Sequence, residues 1–311
     1  MILNIWSNKI IPMANHKHLR VVLEDIFLNN NELTQDLKSR LVNEFRYSNL
    51  FIPAKRDEFT LNFIIYEDEG MRLTPLFTDK NEFDKFFAEA DDIELMENSF
   101  ELYRNILLTS DLDGYIINPA TEKYVFDRNF VLDIKNVPKT NFYTTDTYSK
   151  EEIGEMRHSG NPNLEDFIGN PNSIGDFEAL FEEMSKSTLL AMMVSDVDLS
   201  PKSENGIVSL MDTGPMAQMY TDRVGGVYAC IFSSEDKMRL VGTSKFRYSQ
   251  VINLAMLVNF VLSEDMDGIV LNPESDNVLI PRSTLLRYSL GFERYANDEK
   301  LSNSIYYMFP L

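Results

Sequence analysis

The sequence predicts an α+β protein of two similar domains, each a mostly antiparallel sheet with helices packed on one face. Three observations predict it. The length of 311 residues exceeds what one hydrophobic core usually serves. Apolar residues at period two and at helical spacing are mixed along the chain. A long segment also recurs: "LLTSDLDGYIINPATEKYVFDRNFVL" returns as "VLSEDMDGIVLNPESDNVLIPRSTLL". Asp113 and Gly114 answer Asp267 and Gly268, and Asn118 and Pro119 answer Asn272 and Pro273, each 154 residues on. Upstream, "LFTDKNEF" answers "IFSSEDKM", with Phe77 opposite Phe232 at a separation of 155. A repeat of this kind sets the domain plan before any motif is weighed.

In the first copy, Leu33, Leu37, Leu41, Val42 and Phe45 fall at helical spacing and predict an amphipathic helix. "SNLFIPAK" reads as a strand ending at Pro53, and "EFTLNFIIYEDEGMRLTPLFT" as two strands joined at Glu69-Gly70. The first of these two alternates Phe59, Leu61, Phe63 and Ile65. Thr78 or Asp79 caps a following helix with a stripe of Phe83, Phe86 and Phe87. "SFELYRNILLTS" is a second helix with Phe100, Tyr103, Ile106 and Leu107 on one face. Gly114 stops it and opens the uniformly apolar strand "YIINP", with "EKYVFDR" as its hairpin partner.

The second copy runs in the same order. "DFEALFEEMSKS" is its leading helix, "TLLAMMVS" its first strand, "PMAQMYTDRVGGVYACIFS" its hairpin and "YSQVINLAMLVNFVLS" its long helix. "GIVLNP" and "NVLIPR" follow. It inserts "DVDLSPKSENGIVSLMDTG" before the hairpin, which reads as a tolerated surface excursion or an elaborated functional loop. Residues 1–32 are assigned to an N-terminal segment, 33–136 and 176–311 to the two domains, and 137–175 to a linker rich in Asn, Pro, Gly, Ser and Thr. One short helix, "SKEEIGEMRH", is expected in that linker.

The chain carries 49 Asp plus Glu against 29 Lys plus Arg, a formal charge of −20. That surface repels phosphate backbones and anionic headgroups, so neither nucleic acid nor a membrane surface is an expected partner. A basic protein is. The single cysteine, Cys230, sits in the apolar run "VYACIF" and has no partner for an internal disulfide. The opening stretch has no apolar core of signal-peptide length, and no segment reaches the roughly 18 apolar residues of a membrane span. A cytoplasmic location is expected.

The strand ending in proline, the hairpin running into "FT" and a helix, and the second helix leading to "DGYIINP" or "DGIVLNP" together resemble the SseB-type domain, named for enhanced serine sensitivity. The resemblance covers about residues 33–134 and again 177–289. It implies an accessory or interaction module with no established enzymatic activity and no cofactor. The second copy departs from it in lacking the first-strand proline, since "LLAMMVS" stands opposite "LFIPAKR".

The chemistries can be weighed residue by residue. His16, His18 and His158 lie outside both copies, which leaves no base beside a nucleophile, and no catalytic residue is assigned. His16 and His18 lack an acidic partner at ligand spacing, and the acids of "TSDLDG" and "SEDMDG" run straight into an apolar strand, so no metal is expected. "RVGG" precedes a strand rather than a helix and reads as a turn, not a phosphate cradle. Asp113, Gly114, Asn118, Pro119, Asp267, Gly268, Asn272 and Pro273 keep two readings. They are turn punctuation, or Asn118 and its counterpart Asn272 face a ligand cleft at a strand end. Two functions follow: a non-catalytic protein-binding module, or a small-metabolite binding protein or enzyme with its site at the junction of the domains.

Overall fold

In the computed structural model, the residues described are 16–29, 32–56, 61–88, 92–135, 147–170, 173, 175–200, 208–209, 216–289, 299–302 and 307–311. They divide into two units, one within Ile11–Val137 and one within Pro138–Leu311. Both are α+β.

The first unit begins earlier than its sequence suggests. Leu19, Val22, Leu23 and Ile26 recur at helical spacing, and they form the buried face of α1 (Lys17–Leu28), in the segment assigned to 1–32. That face packs with Leu37, Leu41 and Phe45 of α2 (Gln35–Tyr47), whose N-terminus Thr34 caps by accepting the Leu37 N–H. Leu33, expected on this helix, precedes it and is exposed.

The strands are β1 (Phe51–Arg56), β2 (Leu61–Phe63), β3 (Tyr66–Asp68), β4 (Met71–Leu76), β5 (Glu94–Glu97), β6 (Gly114–Ile117) and β7 (Tyr124–Asp127). β2 and β5 flank β1, while β3, β4, β6 and β7 form a second ladder in which only β4 and β6 run parallel. Phe51 and Phe77 join the two ladders by exchanging backbone hydrogen bonds of 2.9 and 2.8 Å.

Two expectations are corrected here. The arm read as one alternating strand switches partners at Ile64–Ile65, from β1 to β4, so its period breaks and Ile65 is exposed; Phe59 lies outside the described residues. Pro53 does not end β1 but sits inside it. The Asn98 N–H bonds to the Leu50 carbonyl, and alternate pairs share this state, so Pro53 faces the break between β2 and β4. There the Ile64 N–H uses its carbonyl, and no partner needs its missing donor.

Helices α3 (Lys80–Phe86), α4 (Phe100–Thr109) and α5 (Arg128–Asp133) complete the unit. Phe100, Tyr103, Ile106 and Leu107 of α4 meet α1 and α2 over Ile52, Leu76, Tyr115 and Ile117 of the strands. Phe77, Phe83, Phe86 and Phe87, with Phe51 and Leu95, form a separate aromatic cluster.

The second unit repeats this order. Helices α7 (Pro162–Gly169) and α8 (Phe177–Lys186) precede β8 (Leu189–Ser195), β10 (Met216–Ala217), β11 (Met219–Thr221) and β12 (Val227–Phe232). Then come α9 (Glu235–Arg239), β13 (Phe246–Ile252), α10 (Leu254–Ser263), β14 (Gly268–Leu271), β15 (Val278–Pro281) and α11 (Arg282–Ser289). Pairing repeats as well: β8 lies between β13 and β12, and β12 runs parallel to β14.

Four pieces have no counterpart among the described residues of the first unit. The first is α6 (Lys150–His158), the short helix expected in the linker; it and α7, the counterpart of α1, both fall within the stretch assigned to a linker, yet Ile153 and Leu164 are fully buried. The Asn- and Gly-rich composition around α7 masks its short apolar face. The insertion supplies β9 (Val208–Ser209), which pairs with β16 (Tyr307–Pro310), and β16 pairs with β13. With α12 (Glu299–Ser302), these additions build a core of Ile153, Leu301 and Phe309 against Leu190, Met192 and Val251.

β13 also corrects the expected long helix from Tyr248. Its first residues form the strand, and α10 starts only where Asn253 accepts the Met256 N–H. Asn253 interrupts the apolar run at that cap, and as a helix N-cap residue it was a usable signal of the break.

Gly114 and Gly268 hold φ at +156° and +151°, and a Cβ there would lie 2.1 Å from the Phe126 carbonyl oxygen and 2.2 Å from that of Ile280. We expect Gly268→Ala to lower the unfolding free energy by about 3 kcal/mol. Gly70→Ala, at φ +83° with open space around it, should cost only about 1 kcal/mol. Urea denaturation of both variants measures this, and equal midpoints would contradict the steric reading.

Candidate functional site

Glycine followed by apolar residues and Asn-Pro makes a short, wholly buried strand in each unit, β6 and β14. Each lies parallel to a neighbour, and parallel strands lack a hairpin to fix their ends. Side chains do it here. At the entry, the Arg72 N–H donates to Asp113 Oδ2 at 2.8 Å, the Asp113 N–H to the Arg72 carbonyl at 2.8 Å, and the Arg128 N–H to the Asp113 carbonyl at 2.7 Å. Val227, Asp267 and Arg282 repeat the set at 2.7 Å throughout.

At the exit, Asn118 and Asn272 take left-handed φ of 43° and 53°, which asparagine tolerates better than most residues. Both are fully buried. Asn118 Oδ1 accepts the Thr78 N–H at 3.0 Å and its Nδ2 donates to Thr78 Oγ1 at 3.0 Å. Asn272 makes the same pair with Ser233, at 2.8 and 2.9 Å. Their carbonyls accept the Lys123 and Asn277 N–H groups across the turns that hold Pro119 and Pro273. Each asparagine thus clips the end of one strand to the start of the loop after its parallel neighbour.

Charged side chains fringe these clips. In the first unit, Arg20 of α1 reaches Asp79 at 3.2 Å, Glu82 at 3.6 Å and Glu122 at 3.2 Å, and Thr121 Oγ1 donates to the buried Glu82 at 2.7 Å. Burial pulls the Glu122 carboxyl up, but hydrogen bonds from Thr121 and Asn118 and the charge of Arg20 outweigh it and hold it low. In the second unit, Ser233 Oγ donates to Glu165 at 2.8 Å, and Lys237 pairs with Asp276 at 2.9 Å. Every charge named here faces an internal partner.

The remaining reactive groups are placed apart. His16 Nε2 contacts the Asn49 carbonyl at 2.8 Å, at the N-terminus of α1, and His158 lies exposed beside Glu235. Cys230 is buried, and that burial pushes its thiol up to about 12. It borders a small apolar pocket walled by Ala191, Ala229, Met256, Leu257 and Phe260. Ala191 and Ala229 stand where the first unit has the larger Ile52 and Thr74. Among the described residues, no group of three or more His, Cys, Asp or Glu is placed to hold a metal ion, and no helix is long and apolar enough to cross a membrane. No family model, curated protein or solved structure matches the chain.

Two further repeated residues escaped the sequence reading. The Arg128 guanidinium donates to the Ser110 and Leu112 carbonyls at 3.0 Å, and buried Arg282 donates to Val261, Leu262 and Met266. They close the carbonyl ends of α4 and α10. Their spacing of 154 residues was a usable signal. His16 and Asn161 are the other pair: Asn161 bonds both the Thr188 N–H and the Thr188 carbonyl, ahead of β8, as His16 does the Asn49 carbonyl ahead of β1. Their differing residue types hid them.

Replacing Asn272 by alanine strands the Ser233 N–H in the core, while the hydroxyl keeps Glu165, and we expect a loss of about 2 kcal/mol in chemical denaturation. Arg282→Lys, which keeps the charge but not the fork, should lose about 1–2 kcal/mol. Cys230 should resist a disulfide reagent at mild alkaline pH in the native chain and react fully in denaturant; rapid native labelling would contradict its burial.

Proposed function

We propose that this chain is a non-catalytic, tandem-domain protein that acts in the cytoplasm by binding a basic protein. The observation that carries the proposal is that the repeated polar residues, which would be the natural candidates for chemistry, spend their hydrogen-bonding groups on strand ends within the fold. The conspicuous surface property left is the charge of −20. Such a surface speeds and orients encounter with a partner of opposite sign. The buried, weakly acidic Cys230 thiol is a poor nucleophile, which also favours a binding role. The resemblance of both copies to the SseB-type domain points the same way. No cofactor enters this reading.

A tagged chain incubated with native cell lysate at low salt tests it. One basic protein recovered stoichiometrically and released as salt rises is the expected result. Recovery of background proteins alone would overturn it.

A further inference from the structure

The two units differ most at one sheet edge. Phe51 pairs with Glu97 in the first unit and Leu190 with Val251 in the second, and Phe51 and Leu190 are themselves equivalent, since they bond Phe77 and Phe232. β5 is therefore the counterpart of β13. In the second unit the far side of β13 is occupied: Tyr248, Ser249 and Gln250 pair antiparallel with Pro310, Phe309 and Met308 of β16. The matching residues of β5 are Glu94, Leu95 and Met96. Among the described residues, β5 pairs with β1 alone.

The state of each backbone group on that edge follows from the pairing. The Asn98 N–H bonds to Leu50, so Met96 and Glu94 also face β1, and Leu95 and Glu97 turn their N–H and C=O groups away from it. In β13 the equivalent parity holds, because the Arg247 carbonyl accepts the Leu311 N–H. Leu95 lies with the aromatic cluster and Met96 packs against the helical core, so an added strand would extend apolar cover on both faces.

Charge selects the occupant. The run "EADDIELME" from Glu89 to Glu97 holds five acids and no basic residue; exposed Asp92 and Glu94 pair with Lys55 and Arg56 of β1, and exposed Glu97 lies outside those pairs, so the edge keeps an excess of negative charge. Two such edges set side by side would oppose like charges, which disfavours a second copy. We propose that β5 accepts an extended, basic segment of a partner protein as an antiparallel strand, continuing the first unit's sheet as β16 continues the second's. The proposal rests on the protein-binding reading above and assigns it a surface.

The test uses the full chain and a fluorescein-labelled peptide alternating lysine and valine, followed by fluorescence anisotropy. We expect saturable binding, weakened at least about tenfold when alternate peptide nitrogens are methylated, because that removes strand donors and keeps the charge. Glu94→Lys with Glu97→Lys, both at exposed positions, should abolish binding while circular dichroism stays unchanged. Amide exchange at Leu95 and Glu97 should slow in the complex. No binding, equal binding of the methylated peptide, or unprotected Leu95 and Glu97 amides would each overturn the proposal. The reading of the whole protein is judged separately. If the double variant still recovers a basic protein from lysate as the unaltered chain does, the edge is wrong and the binding role stands.

Discussion

The parallel pairing of β4 with β6, and of β12 with β14, is the constraint on which each unit depends. A strand of four residues has too few ladder bonds to fix its own register, and a one-residue slip would turn its buried side chains to the opposite face. The aspartate at the entry and the asparagine at the exit remove that freedom. Each spends side-chain bonds on the backbone of the neighbouring segment, so the register is set at both ends. Between them the glycine allows the chain to pass close to a carbonyl that any side chain would strike.

From those clips the rest of each unit follows. Arg128 and Arg282 stand at the start of the helix after the hairpin and reach back to the carbonyl ends of α4 and α10. That contact links the strand, its hairpin and two helices in one hydrogen-bonded group. The outer helices α1 and α7 are tied in by His16 and Asn161, which bond the chain where it enters β1 and β8. Buried side chains of different chemistry perform one role at equivalent places. Such a position is under a geometric demand that two residue types can meet.

Much of this was legible in the sequence, and the reasons for the rest are physical. The repeat and its spacing announced two units of mixed α and β structure, and helical periodicity located α2, α4 and α8. The Asp-Gly and Asn-Pro pairs marked strand ends, though their partners Thr78 and Ser233 are 40 and 39 residues away, and only the fold shows the bonds. β5 and β13 were missed because four to seven residues beside an apolar helix carry no period of their own. α6 was legible as the short helix of the linker; α7 was missed because its buried face holds few residues set in Asn- and Gly-rich composition, whereas the helical spacing of Leu19, Val22, Leu23 and Ile26 in α1 was a usable signal.

β16 also bears on how the chain folds. In the first unit the described strands find their partners over shorter stretches, the longest from Phe51 to Glu97, and all have been made once β7 is reached. The second sheet is different: β13 pairs with β16 across the stretch from Gln250 to Met308, and among the described residues β9 reaches the sheet only through β16, across the stretch from Val208 to Met308. Loop closure of that length must come before its contacts reward it, which slows folding. During synthesis the first unit is thus able to fold early. The second waits for its last strand, with the β13 edge transiently exposed.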